Sequence, residues 1–189
     1  MGIFSAIFGH TKLAKPDREK FFSIIGAAFE LQGRNDLRLL GKAGIVMNPA
    51  ESRYFDNLNS ELRSLLDISG RSTGTRFEIS DDDYGTRWVL LDDSDFEDLV
   101  STIHMIAETV HDRGYGDRLL ASVFGIEFNR SDVYIIYNYK SGKFYPFAGA
   151  ANRERDNALE LRLGEALKEM KVPVERQLEN WYALWGIPF

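Results

Sequence analysis

Two hydrophobic periods divide this chain. Tyr54, Phe55, Leu58, Leu62, Leu65 and Leu66 recur at three- and four-residue spacing, which lines one face of a 3.6-residue helix. Asn48-Pro49-Ala50-Glu51 reads as its start, with Asn48 as cap, Pro49 at the first helical position and Glu51 placed to reach back. It is expected to run to about Ile68, where Gly70 stops it. A second helix opens at the capping box Ser94-Asp95-Phe96-Glu97 and runs to Arg113, with the apolar stripe Phe96, Leu99, Ile103, Ile106 and Val110. Asp92, Asp93, Asp95, Glu97 and Asp98 set negative charge against the positive end of its dipole. A third, from about Glu154 to Met170, buries Leu159, Leu163, Ala166, Leu167 and Met170. Pro16-Asp17 opens a short helical stretch through Phe21, Phe22 and Ile25. At the other end, Pro173 precedes a last amphipathic segment carrying Leu178, Trp181, Tyr182, Leu184 and Trp185.

Between these stretches the period shortens to two. Ala27–Leu31 and Ile45-Val46-Met47 read as strands, with Gly33, Gly41 and Gly44 as punctuation. Phe77–Ser80 and Arg87–Leu91 form a hairpin around Asp81-Asp82-Asp83-Tyr84-Gly85. Leu119–Phe128 and Val133–Lys140 form a longer one, joined by Asn129-Arg130-Ser131-Asp132. Val133–Tyr137, apolar on both faces, belongs inside the sheet. Pro146 within Phe144-Tyr145-Pro146-Phe147 marks an edge strand or its end. Strand pairs joined by short turns, with helices between them, predict an α+β fold: a mostly antiparallel sheet with helices packed on it. The expected division is an amino-terminal amphipathic segment, residues 1–15, and a single compact domain, residues 16–189.

Composition narrows the function. A chain of 189 residues that is 44% hydrophobic can fill one sizeable core, which excludes a disordered tail. With 23 Lys+Arg against 29 Asp+Glu, the net charge of −6 offers no general attraction to nucleic acid, and no basic patch of size is present. The absence of cysteine removes thiol chemistry and disulfides and suits a cytoplasmic location. No apolar run reaches the roughly 18–20 residues of a membrane-spanning helix. Ile3, Phe4, Ile7 and Phe8 make a short apolar face near Lys12 and Lys15; its flanking charges are misplaced for a secretory signal, and Ala6 stands where myristoylation wants Ser or Thr. Residues 1–9 are expected to contact a partner or a membrane surface.

Candidate chemistry is sparse. His104, Glu108 and His111 share one side of a helix, beside the apolar stripe, where they could flank a cleft; they are weak metal candidates and equally suit a surface ion pair. Asp81-Asp82-Asp83 begins like a calcium loop but lacks its closing glutamate, and a hairpin turn accounts for it better. Gly114-Tyr115-Gly116 lacks the third glycine and the preceding strand of a dinucleotide fingerprint. No phosphate loop, nucleophile elbow or zinc-protease helix occurs, so no enzyme activity and no cofactor are expected. The densest segment is Lys143 to Arg162. Tyr145 and Phe147 could wall a site in which Arg155 and Asp156, with Asn157 and Glu160, grip a polar ligand or a partner; alternatively the aromatics close the core and the charges cap a helix. Trp181 and Trp185 pose the same choice between core and docking surface.

Lys143-Phe144-Tyr145-Pro146-Phe147, Arg155-Asp156-Asn157-Ala158-Leu159-Glu160-Leu161, and Trp181 with Trp185-Gly186 and Pro188 resemble the PspAB-like family, small proteins associated with phage-shock protein A, PspA. Met1-Gly2-Ile3-Phe4 and the Tyr84-Gly85…Trp88 hairpin carry a weaker similarity. The resemblance implies a non-enzymatic accessory protein of envelope stress that works with PspA-type membrane-remodelling proteins. Met1-Gly2-Ile3-Phe4-Ser5 is also similar to the start of PspA itself, whose first helix contacts lipid. The expected function is therefore an adaptor binding a PspA-like coat, cytoplasmic and peripheral at the inner face of the cell membrane. The alternative is a small-ligand- or metal-binding domain using His104, Glu108 and His111 or the Arg155-Asp156 pair.

Overall fold

The strand buried almost end to end lies in the middle of the sheet. The computed structural model describes residues 17–33, 37–50, 53–150 and 153–189. Its strands are β1 (Leu37–Met47), β2 (Arg76–Asp81), β3 (Arg87–Asp92), β4 (Leu119–Phe128), β5 (Ser131–Asn138) and β6 (Lys143–Phe147). They form one six-stranded sheet in the order β2-β3-β1-β4-β5-β6, antiparallel throughout. The helices are α1 (Arg18–Gly33), α2 (Arg53–Thr73), α3 (Phe96–Val110) and α4 (Asn157–Glu169). The α+β class and the antiparallel sheet are as the hydrophobic pattern predicts.

Successive strand residues face opposite sides. On one side Phe21 of α1 and Phe96 of α3 pack on Phe124 of β4, with ring centroids 6.2 and 5.5 Å apart. Leu58, Leu62 and Leu66 of α2 are buried in the same core cluster, and α4 packs beside the edge strand β6. On the other side residues 181–189 cross the sheet as an irregular strap. There Trp185 meets Phe147 edge-on at 5.0 Å, and Phe189 lies against the backbone at Gly44 and Gly125.

Several local expectations hold. The β2–β3 hairpin turns at Gly85, whose φ of 75° a side chain would resist. Asp82 organises that turn by accepting from the backbone N–H groups of Tyr84 and Thr86, each at 2.9 Å, from the Thr86 hydroxyl and from Trp88 Nε1 at 3.1 Å. Burial alone would raise the Asp82 carboxyl, but these donors together hold it below its ordinary 3.8. The long hairpin turns tightly through Asn129 and Arg130, with φ of 51° and 65°, and pairs Phe128 with Ser131. Strand β5 is interior, and β6, with Pro146, is an edge.

Other expectations are corrected. Ala27–Leu31 is helical, the end of α1; buried Phe21, Ile24, Ala27, Ala28 and Leu31 follow the helical repeat that Phe21 and Phe22 begin. The second strand extends far beyond Ile45–Met47: β1 passes through Gly41 and Gly44. Gly41, at φ 68°, sits where the pairing with β4 slips between Leu39 and Lys42, so it marks a bulge and not a boundary. Asn48 and Pro49 are not helical, and Asn48 N–H donates instead to the Arg118 carbonyl at 2.9 Å. Glu51 and the side chains of Tyr54 and Phe55 lie outside the described residues. Helix α2 passes Gly70, which lies so close to the Thr75 carbonyl that a Cβ there would be 2.5 Å from it. Asp95, not Ser94, caps α3, because its carboxylate accepts from Glu97 N–H at 2.8 Å. The last helical turn expected before Arg113 is instead a π-type turn, His111–Tyr115, ended by Gly114 at φ 85°. Likewise α4 begins at Asn157, capped by Asp156, and not at Glu154. The carboxy-terminal amphipathic segment forms no helix beyond the short turn Leu178–Asn180. Its aromatics are spent on contacts with the sheet, and Gly186 and Pro188 break its backbone.

Candidate partner-docking surface

The surface begins with the helix start that the sequence crowds with charge. Asp156 accepts from Leu159 N–H at 2.9 Å and opens α4, which turns Glu160 inward and Leu161 outward one residue later. Glu160 is 2% exposed, and Arg155 crosses to meet it in a forked pair, Nε to Oε1 at 3.0 Å and Nη2 to Oε2 at 2.8 Å. Glu160 Oε1 also accepts the backbone N–H of Ala148 at 2.9 Å. Arg155 Nη1 donates to the Trp181 carbonyl at 2.6 Å, and its guanidinium lies 5.5 Å from the Phe147 ring centroid. Arg155 therefore ties three parts of the chain together: the end of β6, the first turn of α4 and the root of the strap.

Trp181 is buried and donates from Nε1 to the Glu175 carbonyl at 3.0 Å. Glu175 is buried too; it accepts from Lys143 Nζ at 3.3 Å and from the N–H groups of Arg176 and Gln177 at 2.8 and 3.1 Å. Burial pushes its carboxyl up, yet these donors leave it below the ordinary 4.5. Tyr145 and Phe147 are buried, and burial raises the Tyr145 hydroxyl well beyond its ordinary range. Both aromatics close the core, and Tyr145 has no open face to offer a ligand.

Outside this scaffold lies a groove of about 330 Å³ lined by Arg155, Asn157, Glu160, Leu161, Leu178 and Trp181. Leu161 is 44% exposed and Leu178 54% exposed, two of the few large apolar side chains on the described surface. The groove thus has a fixed, internally satisfied polar floor and apolar rims. That suits apolar side chains from a partner better than a polar ligand, because Arg155 and Glu160 already use their hydrogen bonds on each other and on the backbone.

The other sequence candidates fall elsewhere. Ile3, Phe4, Ile7 and Phe8 lie outside the described residues. His104 does not flank a cleft: it is 5% exposed, stacked on Phe21 at 5.6 Å and met edge-on by Phe22 at 5.1 Å, because α1 covers that side of α3. Its Nε2 is 3.7 Å from Glu108, while His111 lies in the π-type turn nearest Asp112. Among the described residues no three His, Cys, Asp or Glu side chains converge to hold a metal. Leu161 and Leu178 are not among the residues that the sequence singles out as a site. Leu161 stands off the stripe of Leu159, Leu163 and Leu167, a signal that could have marked it as outward-facing. Leu178 had no such signal, since the amphipathic segment it opens forms only the short turn Leu178–Asn180 and no longer helix.

No helix among the described residues is long and apolar enough to cross a membrane. The family model described as PspAB, PspA associated protein B, matches residues 1–189. No curated protein and no solved structure matches the chain.

Proposed function

The chain belongs to the PspA associated protein B family, and from that premise we propose that it is a non-enzymatic adaptor which binds a PspA-like coat protein. The observation that carries this reading is the groove beside α4, where Leu161 and Leu178 stand exposed over the Arg155–Glu160 pair and Trp181. A rigid floor with apolar rims is the form of a protein-docking site, since such sites combine a desolvated centre with polar groups that are already paired. An amphipathic helix of the partner would lay one apolar face between the two leucines. The amino-terminal Ile3, Phe4, Ile7 and Phe8 supply a second contact, to the coat or to the membrane beneath it. The adaptor would then work in the cytoplasm, at the inner face of the membrane.

Co-sedimentation with the cognate PspA-type protein, with and without liposomes, tests the proposal. Full-length chain should pellet with the coat, and the pair Leu161→Asp and Leu178→Asp should remove that association while leaving the fold intact. A chain lacking residues 1–9 should lose any contribution from liposomes. Full-length chain that fails to associate in any condition would overturn the adaptor reading.

A further inference from the structure

Beyond the end of β6 the chain builds a cavity of about 280 Å³ whose lining includes Tyr84, Tyr134, Phe147, Arg153, Trp185 and Ile187. Three of its four aromatic rings are held in place by the fold. The Tyr134 hydroxyl donates to the Phe189 carbonyl at 2.9 Å, and the Tyr134 ring stacks on Phe147 with centroids 6.4 Å apart. Trp185 meets Phe147 edge-on at 5.0 Å, next to Leu184, which is buried. Gly149 makes that approach possible, since a Cβ there would stand 2.7 Å from the Trp185 ring and 2.8 Å from Phe147. The fourth ring, Tyr84, comes from the β2–β3 turn and is 56% exposed.

The charge in this cavity is of one sign. Arg153 is the charged member of the lining, and no carboxylate shares it. Among the described residues no ion pair or hydrogen bond engages the Arg153 guanidinium, whereas that of Arg155 is spent on Glu160 and the Trp181 carbonyl. Arg153 also sits at φ 60°, a left-handed conformation that an arginine adopts only at a cost. The backbone around it is tied back on itself. Arg153 N–H donates to the Ala150 carbonyl at 3.0 Å, Ala150 N–H donates to the Glu154 carbonyl at 2.9 Å, and Gly149 bridges to Arg155. An exposed, uncommitted guanidinium is therefore carried on an anchored backbone beside four aromatic rings.

We propose that this cavity binds a small planar aromatic anion, its ring against Tyr84, Tyr134 and Trp185 and its carboxylate or phosphate on Arg153. The rings supply apolar area and stacking faces, while a guanidinium matches either anion through two parallel N–H groups. An organic cation, which aromatic walls alone would suit, is repelled by Arg153. An uncharged ring gains the stacking and leaves the guanidinium unused. A volume near the ~300 Å³ lower bound of small-molecule pockets limits the ligand to about two fused rings. The cavity shares no lining residue with the groove beside α4, so this proposal and the adaptor reading stand or fall separately.

Equilibrium dialysis of the full-length chain against naphthoate, naphthyl phosphate and the uncharged naphthylmethanol tests the proposal. At least one of the two anions should bind saturably, one per chain, with an affinity about tenfold or more above that of naphthylmethanol. The tighter anion identifies the group that Arg153 receives. Arg153→Gln removes the charge and should weaken that anion to the level of naphthylmethanol, while Arg153→Lys should retain part of the affinity. Tyr84→Ala should cost roughly threefold or more for charged and uncharged probes alike. Equal binding of charged and uncharged probes, no saturable binding of either anion, or an Arg153→Gln chain that binds as the unaltered one does would overturn the proposal. The first two of these results are read on the unaltered chain, so they decide the matter even if Arg153→Gln fails to fold.

Discussion

Glu160→Ala should be among the most damaging single substitutions outside the apolar core. Three bonds end on that carboxylate: two from the Arg155 guanidinium and one from the Ala148 N–H. Leaving the buried Ala148 N–H without an acceptor costs ~1–3 kcal/mol. Removing one partner of a fully buried ion pair costs ~3–5 kcal/mol. The Arg155 side chain, however, retains 23% of its exposure and recovers part of its solvation, so the lower end applies. Together the lower ends give a loss of about 4 kcal/mol. For a chain of 150–250 residues each kcal/mol moves Tm by ~2–4 °C, so differential scanning calorimetry at pH 7 should show a fall of about 8–16 °C. The paired replacement Arg155→Met with Glu160→Leu removes both charges together and should recover part of that loss, since an unpaired buried charge is worse than none. A Glu160→Ala chain melting within about 2 °C of the unaltered one, in terms of the same scale, would refute this account of the scaffold. So would a double variant that melts no higher than Glu160→Ala alone.

Leu161→Asp and Leu178→Asp should each leave Tm nearly unchanged, because surface substitutions of this kind usually cost within about 0.5 kcal/mol, while both weaken co-sedimentation with the PspA-type partner. Tyr139→Phe should cost about 1–2 kcal/mol in urea unfolding, because it leaves the buried Ser122 hydroxyl without its 2.7 Å partner, and adding Ser122→Ala should recover much of this. The root of the strap should loosen in acid. The folded Glu175 carboxyl is held below its ordinary 4.5, so its contribution is present above that value and is lost as pH falls through the lower folded value. Tryptophan fluorescence, reporting on Trp181 bonded to the Glu175 carbonyl, should follow that loss, and Glu175→Gln should flatten it.

The fold was legible wherever one residue's neighbours in sequence were also its neighbours in space. Both hairpins, the stripe of α3 and the edge position of β6 all follow from periods and turn residues, because a strand paired through a tight turn has its register set locally. The errors share a cause. Gly41 and Gly44 looked like breaks because a glycine's local preference is to interrupt a strand, but the first serves a bulge and the second makes room for Phe189, a residue far along the chain. Ala27–Leu31 carried no local mark separating strand from helix, and packing of α1 against α3 decided it.

The same division runs through the candidate site. The sequence by itself determined that a helix starts within the charged run after Asn152, though it placed the start at about Glu154, and that the aromatics from Phe144 to Phe147 end a sheet. These relations span only a few residues, where backbone geometry leaves little choice. Only the tertiary structure decided that Arg155 reaches across to the Trp181 carbonyl, that His104 is buried under α1 and not beside a cleft, and that Leu161 and Leu178 line one groove. Those contacts join segments distant in sequence. They are selected by which arrangement buries the most apolar surface while leaving no polar group unpaired, a condition set by the whole chain at once and by no local stretch of it.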